Sequence, residues 1–167
     1  MFSLKTPFAL VLALALKAAY GAPNLMPQTI SLERDCNGCL SGSRITLHAD
    51  GRAQLATIGK ARLGTADHLC EGRLSIEEFE ELARLAKADG FMDLADEIVD
   101  AEEQDGPWLT LRVDMADGRS KQVFSRGATR PLVLTALINA VDAASRRVAF
   151  DPPQSKGEDC GFAATPR

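Results

Sequence analysis

The sequence predicts an α+β fold: a mainly antiparallel sheet, with the element order β-β-β-α-β-β-α, covered on one face by two helices. Two pairs of strand-like segments are each joined by an Asp-Gly turn, at Asp50-Gly51 and Asp117-Gly118. Glycine accepts the positive φ of tight hairpin turns, so both pairs are expected to be antiparallel. Two amphipathic helices supply the cover that the apolar face of such a sheet needs.

The first three strands are predicted from alternating apolar and polar residues. Residues 28–35 place Ile30 and Leu32 on one face, and residues 43–50 place Ile45 and Leu47 on one face. This alternation is the period of a half-buried strand. The return strand after the first Asp-Gly turn is expected over residues 52–59. Three residues of the second strand are expected on the opposite, polar face: Arg44, Thr46 and His48.

The first helix has a well-marked beginning and end. A loop at residues 60–73 is followed by Ser75 and Glu78, which have the spacing of a capping box. Gly90 is expected to end the helix in a left-handed conformation. The apolar stripe of this helix consists of Ile76, Phe79, Leu82, Ala83 and Ala86.

The second half of the chain repeats the pattern of hairpin and helix. An acidic, irregular stretch at residues 93–105 is followed by predicted strands at 108–115 and 119–126. Pro131 is suited to the first turn of a helix, which is expected to extend to about Arg147. Its apolar stripe consists of Leu134, Leu137, Ile138, Val141 and Ala144.

The N-terminal segment is typical of a secretory signal peptide. Lys5 is followed by an apolar run from Phe8 to Leu16, and Ala19 and Gly21 place small residues before a cut after Gly21. We therefore expect a signal peptide at 1–21, a single domain at 22–150 and a polar, C-terminal tail at 151–167 that a disulfide could tether. A periplasmic or secreted location follows, without a transmembrane segment in the mature chain.

The charge of the chain argues against binding to nucleic acid. The formal net charge is −4, and removal of the predicted signal peptide, which carries lysines and no acid, makes it more negative. An acidic surface repels phosphate backbones. The expected partner is therefore an unknown protein or small ligand, and no cofactor is predicted.

The four cysteines, Cys36, Cys39, Cys70 and Cys160, are the strongest chemical feature of the sequence. In an oxidising compartment they are expected to form two disulfides. One alternative is a tetrahedral metal site made from Cys36, Cys39, His68 and Cys70. Another is a redox C-x-x-C motif, although no helix is predicted to follow the motif and favour a thiolate.

The pairing of the cysteines is predicted from chain entropy. A bridge between Cys36 and Cys39 closes a very small ring and restrains the unfolded chain little, whereas a bridge to Cys70 closes a loop of about 30 residues. We therefore expect one of Cys36 or Cys39 to pair with Cys70 and the other with Cys160.

The chain resembles a bacterial exported family known as domain of unknown function 6438. The resemblance covers roughly residues 30–150 and rests on ISLERDCNGC, SRITLHADGRAQL, LSIEEFEELARLAKADGF, DGPWLTLRVDMADGRSKQV and RPLVLTALINAVD. The family's cysteine loop has the form C-x-G-x-C-P, whereas this chain has C-N-G-C followed by Leu40. The resemblance implies an exported α+β domain and no particular activity.

Three weaker candidate sites remain. Arg126 and Arg130, near the start of the second helix, could hold a carboxylate or phosphate. The acidic stretch offers oxygen ligands for calcium but lacks the spacing of a calcium loop. A partner could contact the polar sheet face through Arg44, His48, Trp108 and Arg112. For Trp108 the favoured alternative is packing at the edge of the core.

These observations favour an exported, non-catalytic binding module over an enzyme. The sequence has no G-x-S-x-G motif, no phosphate-binding glycine loop and no serine matched to either histidine. The competing hypothesis is a metal-binding or thiol-redox protein that uses Cys36, Cys39, His68 and Cys70.

Overall fold

A computed structural model describes residues 26–88, 90–103, 105–151 and 160. The predicted signal peptide at 1–21 lies outside the described residues, as does nearly all of the tail after Asp151. Within the described part, the strands are β1 (Pro27–Asp35), β2 (Ser41–His48), β3 (Arg52–Gly59), β4 (His68–Arg73), β5 (Glu97–Val99), β6 (Trp108–Met115), β7 (Ser120–Arg126) and β8 (Phe150–Asp151). The α-helices are α1 (Ile76–Ala88) and α2 (Leu132–Ser145), and two 3-10 turns lie at Ala61–Leu63 and Phe91–Asp93.

The α+β class is confirmed, but the sheet is mixed rather than mainly antiparallel. One eight-stranded sheet has the order β5-β7-β6-β1-β2-β3-β4-β8. The short strand β5 runs parallel to β7. Residues 100–119, which include β6, connect β5 to β7, so the two strands are not joined by a tight turn, as a parallel pairing requires.

The predicted element order is also wrong, because three short strands were not anticipated. β4 lies inside the expected loop at 60–73, β5 lies inside the acidic stretch, and β8 follows α2. In β4 burial alternates, but the sequence does not show it, because the apolar Leu69 is half exposed while the more buried positions are His68, Cys70 and Gly72. β5 and β8 have three and two residues, too few to show any period.

Both hairpins and the capping box form as predicted. Gly51 and Gly118 adopt φ values of 82° and 85° in the two Asp-Gly turns. At the start of α1, the amide of Glu78 donates to Ser75 Oγ at 3.2 Å and the amide of Ser75 donates to Glu78 Oε2 at 3.3 Å. Gly90 has a left-handed φ of 77° just beyond this helix.

Both helices pack on one face of the sheet and enclose the core. The strands contribute fully buried side chains such as Ile30, Leu47 and Leu111, and the helices contribute Leu134 and Val141. An ion pair from Arg34 Nη2 to Asp142 Oδ2 at 2.7 Å ties β1 to α2. None of the helices in the described ranges is long and apolar enough to cross a membrane.

The four cysteines form two disulfides, as predicted, but with a different pairing. Cys36 is bonded to Cys39, and Cys70 is bonded to Cys160. The strand order explains the correction, because Cys70 on β4 is three strands away from the end of β1 that precedes Cys36. Three strand spacings of nearly 5 Å each are about 14 Å, which exceeds the roughly 7 Å that a disulfide can span between Cα atoms.

Candidate functional site

The face of the sheet opposite the helices carries polar side chains on its central strands. We call it the open face, since neither helix packs against it. Four residues were predicted to contact a partner, and all four lie on strands whose alternation places them on this face: Arg44 and His48 on β2, and Trp108 and Arg112 on β6. β1 lies between these two strands.

Ion pairs and hydroxyl groups make up the centre of the open face. Glu33 lies opposite Arg44, whose Nε donates to Glu33 Oε2 at 2.7 Å. Arg112 Nε donates to Asp114 Oδ1 at 2.9 Å, and this hydrogen bond raises the pKa of Arg112 above its usual range. The hydroxyl residues between them are Ser31, Thr46 and Thr110.

His48 lies at one end of this central area. Its Nδ1 is 3.4 Å from Thr29 Oγ1, while its Nε2 is buried and makes no hydrogen bond within the described residues. The residue opposite His48 on β1 is Thr29, not a serine, and Ala53 lies at this end of β3.

An aromatic cluster lies at the opposite end of the open face. The rings of Trp108 and Phe124 have centroids 5.7 Å apart, and the Arg126 guanidinium lies 5.5 Å from the centroid of the Phe124 ring. Trp108 pairs with Asp35 on β1, the residue that precedes Cys36. The aromatic cluster and the cysteine loop thus share one end of the sheet.

A shallow depression of about 330 Å³ interrupts the open face over β2, β3 and β4. It combines apolar and polar side chains, and Leu69 is half exposed there. The depression is lined mainly by Arg44, Ala56, Ile58, Asp67, His68 and Leu69.

The Cys36–Cys39 loop lies between β1 and β2 and is supported by a partly buried ion pair. Lys60 Nζ donates to Asp35 Oδ1 and to the carbonyl oxygen of Cys36, both at 2.7 Å. The amide of Cys36 also donates to Asp35 Oδ1. The side chains of Lys60 and Asp35 are only 15 % and 16 % exposed, so water screens this pair less than it screens a surface pair.

The connection from β3 to β4 positions Lys60. It packs so closely on Gly59 that a Cβ there would lie 2.4 Å from the Ala66 carbonyl carbon. The amide of Lys60 donates to Thr65 Oγ1 at 2.7 Å, and this hydroxyl donates to the Leu40 carbonyl at 2.7 Å. The β3–β4 connection therefore contacts the cysteine loop at its start, from Lys60 to Cys36, and just after its end, from Thr65 to Leu40.

The structure does not assemble the predicted metal alternative. Cys36, Cys39 and Cys70 are all bonded in disulfides, so their thiolates are not free to join His68 around a metal ion. No group of three or more metal-ligating side chains, including those of the acidic stretch, occurs within the described ranges.

Arg126 and Arg130 are not brought together as an anion site. Arg126 extends over Phe124 on the open face, whereas Arg130 Nε donates to Ser125 Oγ at 3.0 Å on the core side. The nearby backbone amide of Thr129 donates to Asp100 Oδ2 at 3.0 Å. This hydrogen bond is the main reason why the pKa of Asp100 lies below its usual value. A carboxylate of the chain itself thus occupies the expected anion position.

Sequence reasoning missed Asp35, Lys60 and Asp100. Lys60 lies 24 residues from Cys36 in a predicted loop, and no spacing rule connects the two. In the sequence, Asp35 is simply a polar residue at the end of the predicted strand at 28–35, and nothing there indicates its contact with Lys60. Asp100 lies in the acidic stretch, whose composition suggests calcium ligands and does not mark one residue as an acceptor for the Thr129 amide.

No protein-family model matches the chain, and no curated protein matches it significantly. The resemblance to domain of unknown function 6438 therefore stays a prediction.

Proposed function

We propose that this chain is an exported binding module that takes a protein partner on the open face of its sheet. The observation that carries the proposal is the placement of Arg44, His48, Trp108 and Arg112 on strands separated only by β1, on a face that neither helix covers. The signal-like N-terminus and the two disulfides support a periplasmic or secreted location.

The shape of the open face favours a protein over a small molecule. Small ligands are usually held in concave pockets that bury most of their surface. The depression near Leu69 and a second one of about 400 Å³ near Arg52 and Glu71 are both open to solvent. A broad face with an aromatic cluster at one end and ion pairs at its centre has the composition of a protein interface, where aromatic residues and arginine contribute most of the binding energy.

The charges of the open face define what the partner must offer. Arg44 and Arg112 are each paired with a carboxylate of the same face, and their side chains are about half exposed. The acidic groups of a partner can pair with Arg44 and Arg112 while its basic groups pair with Glu33 and Asp114, so that no charge is left unpaired. A polyanion offers no basic groups, and Glu33 and Asp114 repel it.

Site-specific photo-crosslinking in the native envelope tests this proposal. A crosslinking amino acid at Thr46, in the centre of the open face, is expected to capture a discrete partner. The matched control is the same amino acid at Glu80, an exposed position on α1. Equal capture from both positions would contradict the assignment of the face.

The captured partner then allows a quantitative test. Arg112→Glu replaces a paired cation by an anion next to Asp114 and is expected to weaken binding about tenfold or more. Arg84→Glu, on the exposed side of α1, makes the same charge change away from the open face and should leave the dissociation constant unchanged. Equal weakening by both variants would show that the net charge of the chain, and not the open face, controls binding, and would refute the proposal.

A further inference from the structure

The Cys36–Cys39 disulfide is the weaker structural staple of the two. Its cysteines are three residues apart, and the stabilisation from a cross-link falls as the closed loop shortens. The two strands that flank it are already held in register, with Arg34 opposite Ser43. The backbone would keep the two ends of the loop close without the bond.

This disulfide is also the more accessible of the two. Cys36 and Cys39 are partly exposed, and between and beside them Asn37, Gly38 and Leu40 are exposed, Leu40 by 67 %. Cys70 is only 5 % exposed and belongs to the core, while its partner Cys160 is partly exposed. Thiol–disulfide exchange requires a thiolate to reach a disulfide sulfur. Both cysteines of the loop are partly exposed but only one cysteine of the core bridge is, so access favours reaction at the loop.

The surroundings of the loop suit the reduced form as well as the oxidised form. Lys60 Nζ lies 2.7 Å from the carbonyl oxygen of Cys36 and 2.7 Å from Asp35 Oδ1. The Asp35 carboxylate, next to Cys36, would disfavour a thiolate in the reduced loop, and the Lys60 ammonium group offsets this negative charge. Asp35 and Thr65 hold Lys60 and the loop backbone through bonds that do not involve either sulfur. Opening the disulfide therefore need not unfold the loop.

We propose that Cys36 and Cys39 form a thiol–disulfide exchange site for a dithiol substrate, with Lys60 as a positioning residue. One substrate thiolate attacks a loop sulfur, so that a mixed disulfide forms and the other loop sulfur leaves as a thiolate. The second substrate thiolate attacks the mixed disulfide, which releases the substrate as a disulfide. Two electrons and two protons pass to the loop, which ends as a dithiol. A disulfide of a second molecule returns it to the oxidised state by the reverse steps.

The proposal goes beyond binding on the open face and is tested independently of it. The full-length oxidised chain is incubated with dithiothreitol, quenched with acid and alkylated, and the modified cysteines are identified by mass spectrometry. The control is an oxidised peptide covering residues 33–43, which has the same sulfurs without the fold. We expect the loop disulfide of the folded chain to open about tenfold faster than that of the peptide. Cys70–Cys160 should stay closed, with an unchanged circular dichroism spectrum.

If accessibility alone controlled the reaction, the loop disulfide would open no faster in the folded chain than in the peptide. If the loop opens no faster in the folded chain than in the peptide, or opens only when the chain unfolds, the proposal is refuted. A full-length chain with both Cys70 and Cys160 changed to alanine, if folded, should keep the fast exchange, which separates the loop from the core bridge.

Variants of Lys60 test its role. Lys60→Gln removes the charge and is expected to slow opening several-fold, while Lys60→Arg should restore most of the rate. Arg62→Gln, at an exposed position two residues away, removes a similar charge and should leave the rate unchanged. Equal rates in Lys60→Gln and the parent chain would remove Lys60 from the mechanism.

Discussion

Removal of the Cys70–Cys160 bridge should destabilise the protein far more than removal of the Cys36–Cys39 bridge. The first bridge joins residues 90 apart and the second joins residues three apart. In the chain-entropy model, stabilisation grows with the logarithm of the closed loop, which gives about 4.6 kcal/mol for the long loop and about 2 kcal/mol for the short one. The difference is large against the 5–15 kcal/mol typical of a whole domain.

Urea unfolding of two double variants measures this difference. Cys70→Ala with Cys160→Ala is compared with Cys36→Ala and Cys39→Ala. With a slope of about 2 kcal/mol per molar urea, the midpoint should fall by about 2 M in the first variant and about 1 M or less in the second. The slope itself should increase in the first variant, since the unlinked chain is more expanded when unfolded.

The core position of Cys70 requires one further control. Its side chain is buried, so Cys70→Ala also removes packing. Cys160→Ala alone breaks the bridge but keeps the sulfur of Cys70 in the core. Its urea midpoint should fall by most of the amount seen for the Cys70→Ala, Cys160→Ala double variant. Similar midpoints for the two double variants, or a loss that Cys160→Ala does not reproduce, would refute the loop-entropy reasoning.

Two further predictions concern the turn after β7. Gly127→Ala should lower the melting temperature more than Gly118→Ala. Both glycines have positive φ, but a Cβ at Gly127 would lie 2.4 Å from Asp100 Oδ2, whereas a Cβ at Gly118 would meet nothing within 4 Å. Equal losses would show that backbone conformation alone sets the effect. Asp100→Asn should reduce the loss of stability in acid. The Thr129 amide lowers the pKa of the folded Asp100 carboxyl, so its contribution is present above the unfolded pKa and is lost as the pH falls through the folded value. Melting temperatures from about pH 5 to about pH 2 should therefore converge for the two proteins, and curves that stay parallel would contradict this.

The parts of the fold that the sequence predicted are those in which one face of an element is buried. Ile30 and Leu32, or Phe79 and Leu82, produce a period because the same core buries them. β4, β5 and β8 lack this signal. They are strands because neighbours pair with them, as Cys70 does with Leu55 on β3, and such pairing depends on the completed sheet.

The candidate site was predictable only in part for the same reason. Alternation along β2 and β6 correctly grouped Arg44 with His48 and Trp108 with Arg112 by strand face. The contact of Lys60 with Asp35 joins positions 25 residues apart through the packing of a loop. No local period encodes a contact of that kind.

The error in cysteine pairing shows how the two disulfides divide stability and reactivity. Entropy in the unfolded chain favoured long loops for every cysteine, yet the strand order leaves Cys36 no distant partner within reach. The result is one bridge that contributes more to stability and whose Cys70 sulfur is buried, and another that contributes less and whose two cysteines are partly exposed. A reductant that meets the folded protein can therefore open the loop between β1 and β2 while the core bridge keeps the domain intact. An exchange site needs this separation, because a disulfide that must open and close repeatedly cannot also be the one on which folding depends.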